Sequence, residues 1–188
     1  HVGDLVELVV LDERALDLDA LLGMLADARL LTAEQTREVQ AQATRRRRIL
    51  ERNRQLEAGD ESAPVTAVEL LASFGLPSTA GATLSEERIQ QAVAAATGLR
   101  YVRIDPLKID ARFVAATVSH AYARRNAALP LGIEGGRLQL AVDDPFAADV
   151  RATMQARADT PVELVLAVRG EILRQIQEIF QFRATIRG

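Results

Sequence analysis

Cysteine and tryptophan are both absent from this 188-residue chain. Without thiols there is no disulfide, no thiolate nucleophile and no cysteine-ligated zinc site. His120 is the only internal histidine, so no Ser-His-Asp arrangement can be assembled around it. Aromatic residues make up 4% of the chain, too few for a base-stacking surface. No apolar run approaches the roughly 20 residues of a membrane-spanning helix, and the N-terminus has no signal-peptide pattern. The first residue is His1 instead of Met, which reads as a segment of a longer protein. GxxxxGK[ST] does not occur: Lys108, the one lysine, sits in PLKID with no glycine beside it. Without that loop nothing cradles nucleotide phosphates, and no ATPase core is expected in this chain. Gly132, Gly135 and Gly136 do not make GxGxxG either.

What remains is an ordinary globular balance, 48% hydrophobic and 26% charged, with a net charge of −3. No global field draws such a chain to nucleic acid or to an anionic membrane. Residues 2–11 fit either a short strand or a helix. Leu18, Leu21, Leu22 and Leu25 fall at helical spacing. Thr32 and Gln35 form a capping box for a second helix, which nothing interrupts until about Leu56. GDESAPV over 59–65 is a linker by composition. A short helix is expected over 65–74, with Val68, Leu71 and Ala72 on one side and Gly75 as its left-handed cap. A flexible loop follows. Ser85 then caps a helix whose stripe is Ile89, Val93 and Ala96 and which Gly98 ends.

After Gly98 the pattern changes. LRYVRID reads as a strand. Asp110 caps an expected helix through about Arg125, with Phe113, Val114, Thr117, Val118 and Ala121 inward. Gly135-Gly136 between two apolar runs is a hairpin turn. Asp143-Asp144-Pro145 reads as the start of a helix, with an Asp as its cap and Pro145 at its first position. Thr160-Pro161 opens a last strand, and a final helix begins at Arg169. The expected class is α+β: an N-terminal helical subdomain, then a small mixed sheet of about four strands packed with helices. The segments are 1–60 with the Arg-rich helix, 65–98 as a second helical repeat, and 99–188 as the α+β part. The repeat is faint. LLGMLADARLLTAEQ and LLASFGL…LSEER share an apolar helix, a break and a capped second helix.

Few side chains suggest chemistry. His120 reads as a helix-surface or packing residue, and Asp143/Asp144 as caps instead of cation ligands. The sharpest charge feature is Arg45, Arg46, Arg47 and Arg48. Residues 43–58 hold six arginines against Glu51 and Glu57. Four consecutive residues point all around a helix, and Arg47 can pair with Glu51 at i,i+4. The run reads as a solvated helix or as a docking surface for an acidic partner.

ATGLRYVRIDPLKID, then a helix, then ARRNAALPLGIEGGRLQLAVDDPF resembles the N-terminal domain of type II secretion and type IV pilus assembly ATPases. The matching positions are Gly98-Leu99, Tyr101-Val102, Asp105-Pro106, Ala123-Arg124-Arg125, Leu129-Pro130-Leu131-Gly132, Gly135-Gly136-Arg137-Leu138, Ala141-Val142 and Asp144-Pro145. The resemblance implies a non-catalytic docking and regulatory domain. It would couple a motor ATPase to the cytoplasmic part of an inner-membrane platform protein, with the ATPase core elsewhere on its own chain or on a separate one. It also implies a cytoplasmic place at the bacterial inner membrane, without membrane insertion, nucleic acid or metal. Arg45–Arg48 is the expected partner surface. One branch of the family carries two copies of RLGxxLVxxGxxxxxxLxxALxxQ, which bind cyclic di-GMP. Here RLG falls on Ala20-Leu21-Leu22 and on Thr66-Ala67-Val68, and the internal glycine falls on Arg29 and Gly75. The alternative is therefore a sensor of cyclic di-GMP or a related anion, in a motor subunit or a stand-alone regulator. Its candidate contacts are Leu21, Leu25, Arg29, Leu71 and Gly75, with Arg29 as a phosphate partner.

Overall fold

The computed structural model describes residues 15–59 and 63–187; the expected strand or helix at 2–11 lies outside them. Two compact units emerge, one of Leu16–Ala96 and one that runs from Thr97.

The first unit is helical. Helix α1 (Leu18–Asp27) starts at Asp17, whose carboxylate accepts the Ala20 N–H at 2.7 Å. Its leucines at helical spacing, Leu21, Leu22 and Leu25, are all buried. Helix α2 (Ala33–Ala58) carries the expected Thr32/Gln35 capping box and turns Val39 and Ala43 inward. Helix α3 (Ala67–Ala72) is shorter than expected, because Thr66 and Glu69 form a second capping box that fixes where it begins. Helix α4 (Glu86–Thr97) follows Ser85, whose hydroxyl accepts the Arg88 N–H at 3.2 Å. Its buried stripe is Ile89, Gln90, Val93 and Ala94. Ala96, expected inside, is exposed, because the last turn carries the helix beyond the end of the unit's core.

The second unit is a four-stranded mixed sheet packed with helices, as expected. Strands β1 (Arg100–Tyr101), β2 (Ala128–Glu134), β3 (Arg137–Val142) and β4 (Val162–Leu166) lie in the order β1-β4-β3-β2. The β2–β3 pair is antiparallel, and β4 runs parallel to both β1 and β3. Gly135 and Gly136 make the hairpin turn with φ of 57° and 73°, the doubly left-handed geometry that favours glycine at both places. Every residue from Leu138 to Val142 is buried, so the central strand is covered on both faces. Helix α7 (Ala148–Ala158) packs on β4, and α8 (Arg169–Arg187) packs on β2 and β3. Ile172, Gln175, Ile176 and Ile179 form the inward stripe of α8.

Two expectations fail here for local reasons. The helix expected from Asp110 to about Arg125 is two helices, α5 (Ala111–Thr117) and α6 (His120–Asn126). Val118 between them is extended, at φ −133° and ψ 151°, which keeps its branched side chain buried. Ser119 then restarts the helix by accepting the Tyr122 N–H at 3.2 Å. The restart turns the second helix, so Ala123 is buried and Ala121 is exposed. Asp143 and Asp144 do not cap α7, whose N-cap is Ala147, and Pro145 precedes the helix. Asp144 instead accepts the Phe146 N–H at 2.8 Å in a local turn. Asp143 pairs at 3.0 Å with Arg169 in the first turn of α8, tying the end of β3 to that helix.

Candidate functional site: the paired repeats and the arginine helix

The two repeat copies share a left-handed turn. Arg29 and Gly75, 46 positions apart in sequence, both adopt left-handed conformations, with φ of 58° and 59°. Each turns the chain after an apolar helix. A left-handed glycine is nearly free of steric cost, whereas arginine there carries a penalty of about 1 kcal/mol. The first copy therefore makes the turn without a glycine. Both copies then bury a leucine just before the next cap: Leu31 and Leu84 are buried, and Thr32 and Ser85 cap the next helix.

The copies differ by an excursion over residues 77–83. Its neck closes where the Leu84 N–H donates to the Leu76 carbonyl at 2.8 Å, and Pro77 bridges to Thr83. Its tip is fastened to the first copy. The Thr79 N–H donates to the Leu30 carbonyl at 3.1 Å, and the Thr79 hydroxyl donates to the Arg29 carbonyl. The Gln35 side-chain amide donates to the Pro77 carbonyl at 2.9 Å. The expected flexible loop is thus a hydrogen-bonded strap over the Arg29 turn, and nothing in its Ser/Thr/Gly composition announces the partners.

Of the candidate ligand contacts, Leu21 and Leu25 are 0% exposed and Leu71 is 1%. They form core. Arg29 and Gly75 are exposed at their turns.

The arginine run divides by function. Arg46 donates to the Ser73 carbonyl at 3.1 Å, with its guanidinium 4.3 Å from the Phe74 ring centroid. Arg47 donates to the Val65 carbonyl. Arg54, not singled out from the sequence, donates to the Ala63 and Pro64 carbonyls at 3.0 and 3.1 Å and pairs with Glu69. These three side chains clamp both ends of α3 to α2. They satisfy carbonyls that a six-residue helix and its flanks leave open. Arg45 and Arg48 are exposed. All four arginines are candidates for the partner surface from the sequence; Arg46 and Arg47 make contacts within the fold.

Glu86 lies near Glu69 and Arg54. Burial raises its carboxyl pKa above the usual value and the Glu69 charge adds to this, while Arg54 opposes both. In the second unit His120 stacks on Phe180 with ring centroids 4.8 Å apart, a packing role. Among the described residues no group of three or more His, Cys, Asp or Glu could hold a metal ion. No described helix is long and apolar enough to cross a membrane.

Residues 97–186 match the MshEN domain family. The type IV pilus assembly ATPase TfpB of Acinetobacter baylyi (strain ATCC 33305 / BD413 / ADP1) is 30% identical over 95 residues, which are 50% of this chain. The match spans only 16% of that relative's length. Among solved structures, MshE with cyclic di-GMP aligns over 85% of this chain and 97% of that one, with a TM-score of 0.53 and 20% identity; the likeness is one of fold. The N-terminal domain of XpsE aligns over 78% of this chain and 96% of that one, with a TM-score of 0.43 and 27% identity. A helical-repeat unit followed by a small mixed-sheet unit is thus a fold that this chain shares with MshE. Within it, the sheet unit is the part that matches the MshEN domain.

Proposed function

We propose that the chain is a non-catalytic docking and regulatory domain of a secretion or pilus assembly motor. It would couple the motor ATPase to the cytoplasmic part of an inner-membrane platform protein. The observation that carries this reading is the MshEN match over 97–186 together with the likeness to a pilus assembly ATPase. The ATPase core works beside it, on the same chain or another, and the domain sits in the cytoplasm against the inner membrane. No nucleic acid takes part. Arg45 and Arg48 are the members of the run free to meet a partner, since Arg46 and Arg47 hold α3. The test is capture of the platform's purified cytoplasmic domain by the 188-residue chain. Arg45→Ala with Arg48→Ala weakens capture while the thermal midpoint stays put; undiminished capture by the double variant counts against this surface.

The second reading, a sensor of cyclic di-GMP, draws on the repeat architecture and on the ligand held by MshE. Two observations weigh against it. Leu21, Leu25 and Leu71 are sealed in the core, and Thr79 takes the Arg29 and Leu30 carbonyls at the turn a ligand's backbone contact would use. Arg29 remains as a phosphate partner in this reading. Calorimetry with cyclic di-GMP separates the two: the docking account expects no saturable heat.

A further inference from the structure

Between the exposed Glu38 and Glu57, the outer face of α2 differs from the rest of this acidic chain. Over residues 41–56 its exposed positions include Arg45, Arg48 and Arg52 and no carboxylate; Glu51 is half buried. Two large apolar side chains share that stretch, Ile49 at 51% and Leu56 at 78% exposed. At about 100° per residue these five side chains fall within an arc of about 100°. Arg45 and Arg52 are one heptad apart, and so are Ile49 and Leu56. Arg46, Arg47 and Arg54 point the other way, into the clamp on α3. One helix thus sorts its arginines into an inner set that holds the fold and an outer set bound to nothing in that clamp.

Seven-residue spacing of an apolar pair flanked by cations is the pattern one helix presents to another. Charge complementarity fixes the sign of the occupant. We infer that the strip Arg45–Arg48–Ile49–Arg52–Leu56 docks an acidic amphipathic helix of the partner. Carboxylates on that helix oppose the three guanidiniums, and an apolar heptad covers Ile49 and Leu56. This inference rests on the docking reading and names the partner's chemistry. A bilayer is a poorer match, since two aliphatic side chains without an aromatic anchor bury little area in a membrane interface. Nucleic acid is also a poorer match, since no aromatic side chain lies on the strip to stack with bases.

The probe is a fluorescent helical peptide of about six turns, with Leu at seven-residue intervals and Glu beside each. Its anisotropy is titrated with the 188-residue chain. Wild type binds, and binding falls as salt is raised. The variant R45E/R48E/R52E loses about tenfold or more in affinity at an unchanged thermal midpoint, and I49S/L56S also weakens. A peptide with Lys in place of Glu restores binding to the reversed-charge variant, which a structural role for these arginines would not produce. Equal affinity of wild type and R45E/R48E/R52E overturns the inference. So does binding of wild type to phosphatidylcholine–phosphatidylserine vesicles but not to the peptide. Capture of the platform domain undiminished in R45E/R48E/R52E removes the strip and leaves the docking reading standing. Peptide binding that tracks the arginines, with no capture of the platform domain by wild type, does the reverse.

Discussion

At the scale of single residues, the same side chain does different work a few positions apart. Arg47 reaches the Val65 carbonyl, so Arg47→Ala strands a half-buried acceptor and costs about 1–2 kcal/mol. Arg45→Ala and Arg48→Ala touch no such partner and change stability by less than about 0.5 kcal/mol. Urea midpoints of the three variants check the split. Arg29 offers a reciprocal pair. Arg29→Gly relieves a left-handed arginine and adds chain entropy to the unfolded state, for a net gain below about 1 kcal/mol. Gly75→Ala imposes that strain and costs about 1 kcal/mol, because nothing lies within 4 Å of an added Cβ and only the backbone objects. Glu86 gives a pH signature. Its folded pKa lies above the unfolded one, chiefly through burial. The native state therefore binds this proton more tightly, and the ionised carboxylate costs stability. Stability lost on this account grows as pH rises from 4.5 through the raised pKa. Glu86→Gln removes that loss, so its thermal midpoint gains on wild type between about pH 4.5 and neutrality; parallel profiles would count against the assignment.

At the scale of elements, capping and turn chemistry were legible and rotation was not. The Thr32/Gln35 box, the Ser85 cap and the Gly135-Gly136 turn are local devices, written in adjacent residues. The break between α5 and α6 is different. Val118 leaves the helix to keep its own burial, and only the tertiary core makes that worthwhile. Ser119, read as one more helical residue, is the cap of the second helix. Ser119→Ala should cost about 1 kcal/mol and fray α6, visible as faster amide exchange at Tyr122. The acid pair was misread for a similar reason. Asp143 is drawn off by Arg169, 26 positions away, and Asp144 spends its carboxylate on the Phe146 turn. The clamp of Arg46, Arg47 and Arg54 on α3 also joins residues distant in sequence, and composition marks only the charge.

At the scale of the whole molecule, the class was readable because hydrophobic period and glycine placement alternate cleanly after Gly98. The strand order β1-β4-β3-β2 was not, since pairing of β4 with both β1 and β3 leaves no trace in either segment alone. The candidate ligand leucines were legible as apolar helix stripes, but not how completely they are covered; that depends on the packing of α1 against α3. What the repeats keep is architecture: matched left-handed turns, matched caps, and a strap that closes the first copy with hydrogen bonds from Thr79. In the docking account, what the molecule offers outward is the basic strip of α2. The most direct measurement is a calorimetric titration of the platform's cytoplasmic domain into the 188-residue chain, with and without cyclic di-GMP. The account predicts saturable heat that the nucleotide leaves unchanged. No heat from the platform domain, or about micromolar binding of cyclic di-GMP by itself, would contradict it.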